Sequence, residues 1–410
     1  MLRQRADELV ALLNGGGDPA AMFAPEFLAQ VPEASIRALS GQVTGSVGKA
    51  VRIASFEPVG PNAARLVMAF ERGTAPMTLA TAPDAAGRIV GLRILGVETA
   101  ADAALTSLDA VADAMSALPG KANFAAFDLG DGPAKALTKG LNPRDRLAIG
   151  STFKLAVLAT LLREVDAGKR SWDDAVVLGG VELPGGRFTA SPAGTAVPLR
   201  TLAEAMISVS DNSATDALIH ALGRERIEAT LPLLGWMSPA NRPFLTTMEL
   251  FKLKGVEGGA LGTRYLAAGE KAKRAMLAGE VAALPGSAVG GLFADGKPVR
   301  IDSLEWFASP VELATAMEWF RRHGGSPAGK EALRILALNP GPLAGMKAQF
   351  PYVGYKGGSE PGVISMTLLV QDKAGGWHAL TAGWNDPAAA VDETRFAALV
   401  QRAAAIVAGP

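Results

Sequence analysis

Three short strings set hydroxyl, amine and amide groups at spacings that can move protons. Ser151-Thr152-Phe153-Lys154 places a hydroxyl three residues before an amine. On a helix that is nearly one turn, so the two groups share a face. Serine is a weak nucleophile until its proton is taken, and lysine can take it once burial favours the neutral amine. A helix start adds backbone N–H groups that favour developing negative charge. Ser210-Asp211-Asn212 sets a hydroxyl beside an amide, a pair able to relay a proton and hold a carbonyl. Lys356-Gly357-Gly358-Ser359 offers positive charge. Its glycines let a substrate approach closely, and the next backbone N–H can face an oxyanion. Each string alone also fits a plain structural role: an N-cap, a polar inter-helix turn, an exposed β-turn. The three occur in this order, at a helix start, an inter-helix turn and a strand end.

Composition narrows the chemistry further. The 410 residues suit two or three domains, 49% are apolar, and 40 basic residues balance 40 acidic ones. A net charge near zero argues against nucleic acid or an anionic membrane surface as the main partner. With no cysteine, thiol nucleophiles, disulfides, thiolate zinc sites and iron–sulfur clusters are excluded. Only His220, His323 and His378 are available, which disfavours an imidazole-built metal site. No metal or cofactor is expected. No apolar run reaches the ~18–20 residues of a membrane span. The opening MLRQRADELVALLNGGG reads as a short amphipathic helix and lacks the apolar stretch of a signal peptide. The compartment stays open: exported if a signal has been removed, cytoplasmic if the chain is complete as written.

The elements that must carry these strings follow from hydrophobic pattern and turn signals. Residues 1–97 read as a small α+β domain. It has a helix near Gln4–Leu13, a short helix carrying Phe23 and Phe27, and strands at Ala50–Glu57, Ala64–Phe70, Met77–Thr81 and Arg88–Leu95. Turns fall at Gly60-Pro61-Asn62 and Asp84–Gly87. The second domain, 98–410, opens with an Ala-rich helix at Ala100–Leu118 and a strand at Asn123–Asp128. An apolar central helix follows from Ser151 to about Ala167. Further helices are expected at Thr201–Val209, with a capping box at Thr201–Glu204, at Ser213–Leu222 and at Pro310–Arg322. The Gly-rich segment 240–305, with a helical stretch at Thr263–Val281, reads as an insertion or lid. Late strands at Tyr352–Lys356, Val363–Gln371 and Trp377–Trp384 precede a final helix at Val391–Val407. Strands at both ends of this domain suggest one antiparallel sheet.

The ordered set Ser-x-x-Lys, Ser-Asp-Asn, Lys-Gly-Gly resembles the serine β-lactamase and penicillin-binding protein family. The text LRTLAEAMISVSDN and SATDALIHALG is similar to the family's helices around the second motif. Roughly residues 100–410 take part in the likeness. KGGSEPGV, the segment 240–305 and the small first domain further resemble a two-domain clavulanic-acid-pathway subgroup linked to esterase-type activity. The resemblance implies an α+β fold: a five-stranded antiparallel sheet with helices and a helical subdomain, after a small steroid-isomerase-like (cystatin-like) domain. It also implies roles. Ser151 is the acylated nucleophile, Lys154 its general base and Ser210 the proton shuttle. Asn212 binds the substrate amide, and Lys356 holds a carboxylate and tunes Ser210. Gly358 lets the substrate approach, and the N–H groups of Ser151 and Ser359 form the oxyanion hole.

Departures from the family pattern set the substrate expectation. The deacylating Glu-x-x-Leu-Asn loop is absent, and Glu249 is the only carboxylate in its window, FLTTMELFKLK. Gly357 stands where a threonine is usual, and no arginine opens the strand at Gly362–Met366. These features favour an esterase with weak or moderate β-lactam hydrolysis. A true β-lactamase, a D-Ala-D-Ala peptidase and a β-lactam- or peptide-binding protein without turnover are the alternatives. The expected partner is a small-molecule ester or β-lactam, with the deacylation base either Lys154 or Glu249.

Overall fold

A computed structural model describes residues 1–83, 86–346 and 349–409. The chain divides into two units, one of residues 1–111, 342–348 and 392–410, the other of residues 112–341 and 349–391.

In the first unit, strict alternation of buried and half-exposed residues builds a sheet. Helices α1 (Leu2–Leu13) and α2 (Glu33–Val47) accompany strands β1 (Ala50–Gly60), β2 (Ala63–Phe70), β3 (Gly73–Thr81) and β4 (Ile89–Ile94). The strands pair antiparallel in chain order, and a short β5 (Glu98–Thr99) pairs with β3. Leu9, Val43, Val47, Met68, Met77 and Ile89 close the core. The strands lie where the pattern places them. Helix α2 does not appear in the sequence reading, because its Gly, Ser and Thr residues mask the buried stripe of Ile36, Ser40, Val43 and Val47. The Asp84–Gly87 turn includes Asp84 and Ala85, which lie outside the described residues.

The C-terminal helix, Glu393–Ala408, belongs to this first unit and not to the second. Arg395 pairs with buried Asp102, and Gln401 Nε2 donates to the Leu95 and Pro342 carbonyls at 2.6 Å each. The expected division at 97/98 therefore differs from the observed one at both ends. The single helix expected over Ala100–Leu118 is two, Ala100–Ala103 and Leu108–Ser116. Thr99 caps the first, and Ser107 Oγ accepts the Ala110 N–H to start the second.

The second unit holds a five-stranded antiparallel sheet in the order β8-β9-β10-β6-β7. Its strands are β6 (Lys121–Asp128), β7 (Lys135–Ala136), β8 (Tyr352–Glu360), β9 (Val363–Gln371) and β10 (Trp377–Asn385). Both ends of the unit thus supply strands, as the sequence predicts. Strand β9, flanked by β8 and β10, is buried along nearly its whole length, matching its apolar run. The helices are α3 (Lys154–Asp166), α4 (Leu199–Ser208), α5 (Asn212–Leu222), α6 (Thr247–Gly255), α7 (Pro310–His323) and α8 (Pro327–Leu336). Helix α3 is buried on every side from Lys154 to Leu162 and forms the centre of the helical layer.

Two expectations change here. Thr201 lies inside α4, whose N-cap is Pro198, so the capping box at Thr201 does not form. Segment 240–305 is not a separate lid: Phe244, Leu250, Leu253, Leu261, Tyr265 and Leu304 belong to the main core. The long helix expected over Thr263–Val281 is three pieces, Ala260–Ala267, Glu270–Met276 and Leu277–Val281.

Candidate active site

The nucleophile candidate sits on a tight turn. Gly150–Phe153 form a 3-10 turn that runs into α3, and Gly150 takes φ +46°, a value suited to glycine. Beneath Ser151, Phe153 stacks on Trp306 with ring centroids 3.6 Å apart, and Phe244 meets it edge-on at 5.8 Å. The turn is therefore fixed from below by aromatic packing, and Ser151 is left half-buried at its surface.

The second motif is the α4–α5 connection. Asp211 caps α5, its Oδ1 accepting from Ala214 N (2.8 Å) and Ser213 Oγ (2.6 Å). Its Oδ2 accepts the Arg187 N–H at 2.6 Å. These bonds pin the loop so firmly that Ser210 holds φ +58°, a left-handed conformation that costs a non-glycine residue about 1–3 kcal/mol. Such strain is characteristic of side chains aimed for chemistry.

The third motif is the end of β8. A Cβ at Gly358 would collide with the Ile149 carbonyl oxygen and the Ser151 amide nitrogen. Glycine there lets the strand lie directly against the Ser151 turn, and Ser359 N lies 3.1 Å from where a Gly150 Cβ would stand. A Cβ at Gly357 would collide with the Tyr355 hydroxyl, so a tyrosine fills the space a threonine would need. Tyr355 thus shares the Gly357 face and lies opposite Lys356, as strand alternation predicts.

Two buried lysines converge on one hydroxyl. Lys154 Nζ donates to the Ser210 carbonyl (2.6 Å) and Asn212 Oδ1 (2.7 Å) and lies 3.1 Å from Ser210 Oγ. Lys356 Nζ lies 3.0 Å from the same Oγ and donates to the Gly357 carbonyl at 2.5 Å. Burial lowers Lys154 to about 7, against the opposing pull of Asp216 and Asp211. Burial, and then the charge of Lys154, lowers Lys356 well below the usual lysine value. A neutral Lys154 has two N–H bonds and one lone pair. The two carbonyl-type oxygens take the N–H bonds, so the lone pair is left for a hydroxyl proton.

The geometry bears on two expected roles. Lys154 is hydrogen-bonded to the Ser210–Asn212 loop and not to Ser151 Oγ, so any transfer from Ser151 needs closer approach or a relay, as is common before substrate binds. Lys356 is 3% exposed, and its ammonium nitrogen meets Ser210 Oγ and the Gly357 carbonyl.

Ser151, Asn212 and Ser359 line one cavity of about 220 Å³, together with Phe153, Thr247, Leu250, Phe251, Phe293, Glu305, Trp306, Glu360 and Pro361. Glu249 is not among them. It closes a capping box with Thr246 and pairs with Arg224 at 2.6 Å. The sequence reading missed Glu305, Glu360 and their shared cation Lys254. Glu360 stands next to Ser359 and Lys254 closes the window around Glu249, but nothing in their spacing links them. It also missed Asp216, one turn beyond Asn212 on α5. Asp216 is fully buried, accepts from Thr247 N (2.7 Å) and Met248 N (2.9 Å), and is pushed up to about 6 by burial. Among the described residues no His, Asp or Glu cluster suits a metal ion, and no helix is long and apolar enough to cross a membrane.

The antiparallel sheet and its helices make a fold similar to that of serine β-lactamases. The model of the β-lactamase enzyme family matches residues 106–280, so this stretch of the chain is similar to that family. Its fold is similar to a β-lactamase from Sphaerobacter thermophilus DSM 20745, at 21% identity and TM-score 0.50, covering 73% of this chain and 96% of that one. It is also similar to L2, solved in complex with relebactam, at 19% identity and TM-score 0.50, covering 75% and 97%. PBP-A aligns at 16% identity and TM-score 0.48, covering 73% and 93%. No curated protein sequence matches the chain.

Proposed function

We propose that the second unit hydrolyses carboxylic esters through an acyl group on Ser151, with weak or moderate hydrolysis of β-lactams. The observation that carries this reading is the convergence of two buried, pKa-lowered lysines on Ser210 Oγ beside a Ser151 that opens into the same cavity as Asn212 and Ser359. Ser151 Oγ attacks the substrate carbonyl, and its proton passes to neutral Lys154. The oxyanion is held by the N–H groups of Ser151 and Ser359. Collapse breaks the bond to the leaving group, which takes its proton through Ser210. Asn212 orients the acyl side, and Lys356 keeps Ser210 in place. Gly358 admits strand and substrate to the turn.

Ester preference is supported by three features. Glu249 is tied to Arg224 and Thr246, Gly357 and Tyr355 replace the usual threonine, and the cavity is walled by Phe251, Phe293 and Trp306. A binding protein that acylates once and does not turn over is favoured by the first feature alone. Steady-state hydrolysis of a p-nitrophenyl ester, compared with a chromogenic cephalosporin, tests the choice. The ester is expected to turn over many times, with Ser151→Ala losing at least about a hundredfold of the rate. One equivalent of product and no more would favour the binding protein.

A further inference from the structure

The cavity beside Ser151 contains a charge cluster that none of the three motifs explains. Lys254 Nζ, with no exposed side-chain surface, donates to Glu305 Oε1 at 2.6 Å and to Glu360 Oε1 at 2.5 Å. Glu305 is 1% exposed in its side chain and also accepts the Trp306 N–H at 3.2 Å. Glu360 is 9% exposed and is the member nearer solvent. Both residues line the cavity that Ser151, Asn212 and Ser359 line.

Charge counting shows that the cluster is built around an extra proton. One ammonium between two carboxylates would leave a net negative charge in a buried site, which burial strongly disfavours. The cluster becomes neutral when one carboxyl keeps its proton. Glu360 is that one, pushed up to about 9 by burial and by Glu305, with Lys254 opposing. These two are the charged groups that face it: Lys254 from α6, and Glu305 from the segment before Trp306.

We propose that Glu360 is the general base of deacylation, with Lys254 and Glu305 as positioning residues that set its proton affinity. The proposal rests on the Ser151 acyl-enzyme described above. In the step, a water held between Glu360 and the acylated Ser151 loses a proton to the Glu360 carboxylate. Its oxygen bonds to the acyl carbon. The tetrahedral intermediate then breaks its bond to Ser151 Oγ, which takes a proton back, and the carboxylic acid product leaves. The cavity of about 220 Å³ has room for an acyl group and a water, whose share of liquid volume is about 30 Å³. Burial and Glu305 favour the protonated form of Glu360, so deacylation is expected to quicken as pH rises.

Two amide variants test this, and both leave a neutral cluster that should fold. Glu360→Gln keeps Lys254 paired with Glu305. Glu305→Gln keeps Lys254 paired with Glu360 and removes the negative charge that holds the Glu360 proton. Acylate the full-length protein with a chromogenic cephalosporin, then follow loss of the adduct by intact mass between pH 6 and 9.5. Wild type is expected to lose the adduct about tenfold faster per pH unit up to about 9. Glu360→Gln should acylate normally, yet lose the adduct about a hundredfold more slowly at pH 9 with no such rise. Glu305→Gln should lose it about tenfold or more faster at pH 7, because its profile moves to lower pH. Misfolding does not produce such a gain, and titration of Lys154 does not follow the Glu305 substitution. Adducts that form on Ser151 but clear at rates indifferent to both variants overturn the role of Glu360 and leave Ser151 catalysis standing. Absence of any Ser151 adduct in wild type overturns both.

Discussion

At the residue scale, the account turns on Lys154 being neutral near physiological pH. Its ammonium is disfavoured by burial and favoured by the carboxylates Asp216 and Asp211, and the balance falls at about 7. The neutral form is the base, so acylation of Ser151 is expected to rise with pH through about 7 and level above it. Removing a favouring carboxylate must lower the ammonium's stability further. Asp216→Asn is therefore expected to move the acid limb of the acylation profile to lower pH, measured as burst rate against pH with an ester. The same change replaces one of two oxygens that accept the Thr247 and Met248 N–H groups, at a cost of about 1–3 kcal/mol visible in thermal unfolding. An acid limb that stays in place or rises would show that Asp216 does not act on Lys154.

At the element scale, the site is an intersection of a helix start, an inter-helix loop and a strand end. These were legible in the sequence because each carries a local signature. Ser151 precedes a long apolar helix, Asp211 caps the next, and Lys356 follows the alternating start of a strand that the structure extends to Glu360. The breaks at residues 104–107 and 268–269 were not legible, because alanine-rich or amphipathic periodicity runs on across both. Helix α8 was hidden in a stretch that opens with Pro327 and carries Gly329. Lys254, Glu305 and Glu360 come from three separate segments. Each alone looks like a solvated charge, and only the fold brings them to one cavity. The close approach of β8 to the Ser151 turn gives a direct prediction. Gly358→Ala forces a methyl group against the Ile149 carbonyl and the Ser151 amide, so the strand must shift. A cost of about 1–3 kcal/mol is expected, with a fall in acylation rate larger than any change in substrate affinity. Thermal unfolding and a split of kcat from KM check both. A variant with full activity would mean that the strand edge does not set the oxyanion geometry.

At the scale of the whole molecule, the two units have separate cores, and the last helix belongs to the first of them. Sequence alone assigned that helix to the catalytic domain because chain order is the default guide. The Arg395–Asp102 pair and the two bonds from Gln401 override it. A chain ending at Val391 is expected to lower the thermal transition of the first unit, because Asp102 loses its cation and the core loses buried Phe396, Leu399 and Val400. Breaking such a pair costs about 3–5 kcal/mol, reduced here because Arg395 is 30% exposed. The Ser151 site lies in the other unit, so ester turnover at low temperature is expected to persist. Calorimetry and activity on the shortened chain check this, and loss of turnover with the first transition unchanged would contradict it.

The most direct test of the central claim is peptide mapping by mass spectrometry after brief exposure of wild type and Ser151→Ala to a chromogenic cephalosporin. A single adduct on the peptide containing Ser151, absent from Ser151→Ala, is the result the account predicts. An adduct that persists in Ser151→Ala, or none in wild type, would contradict it.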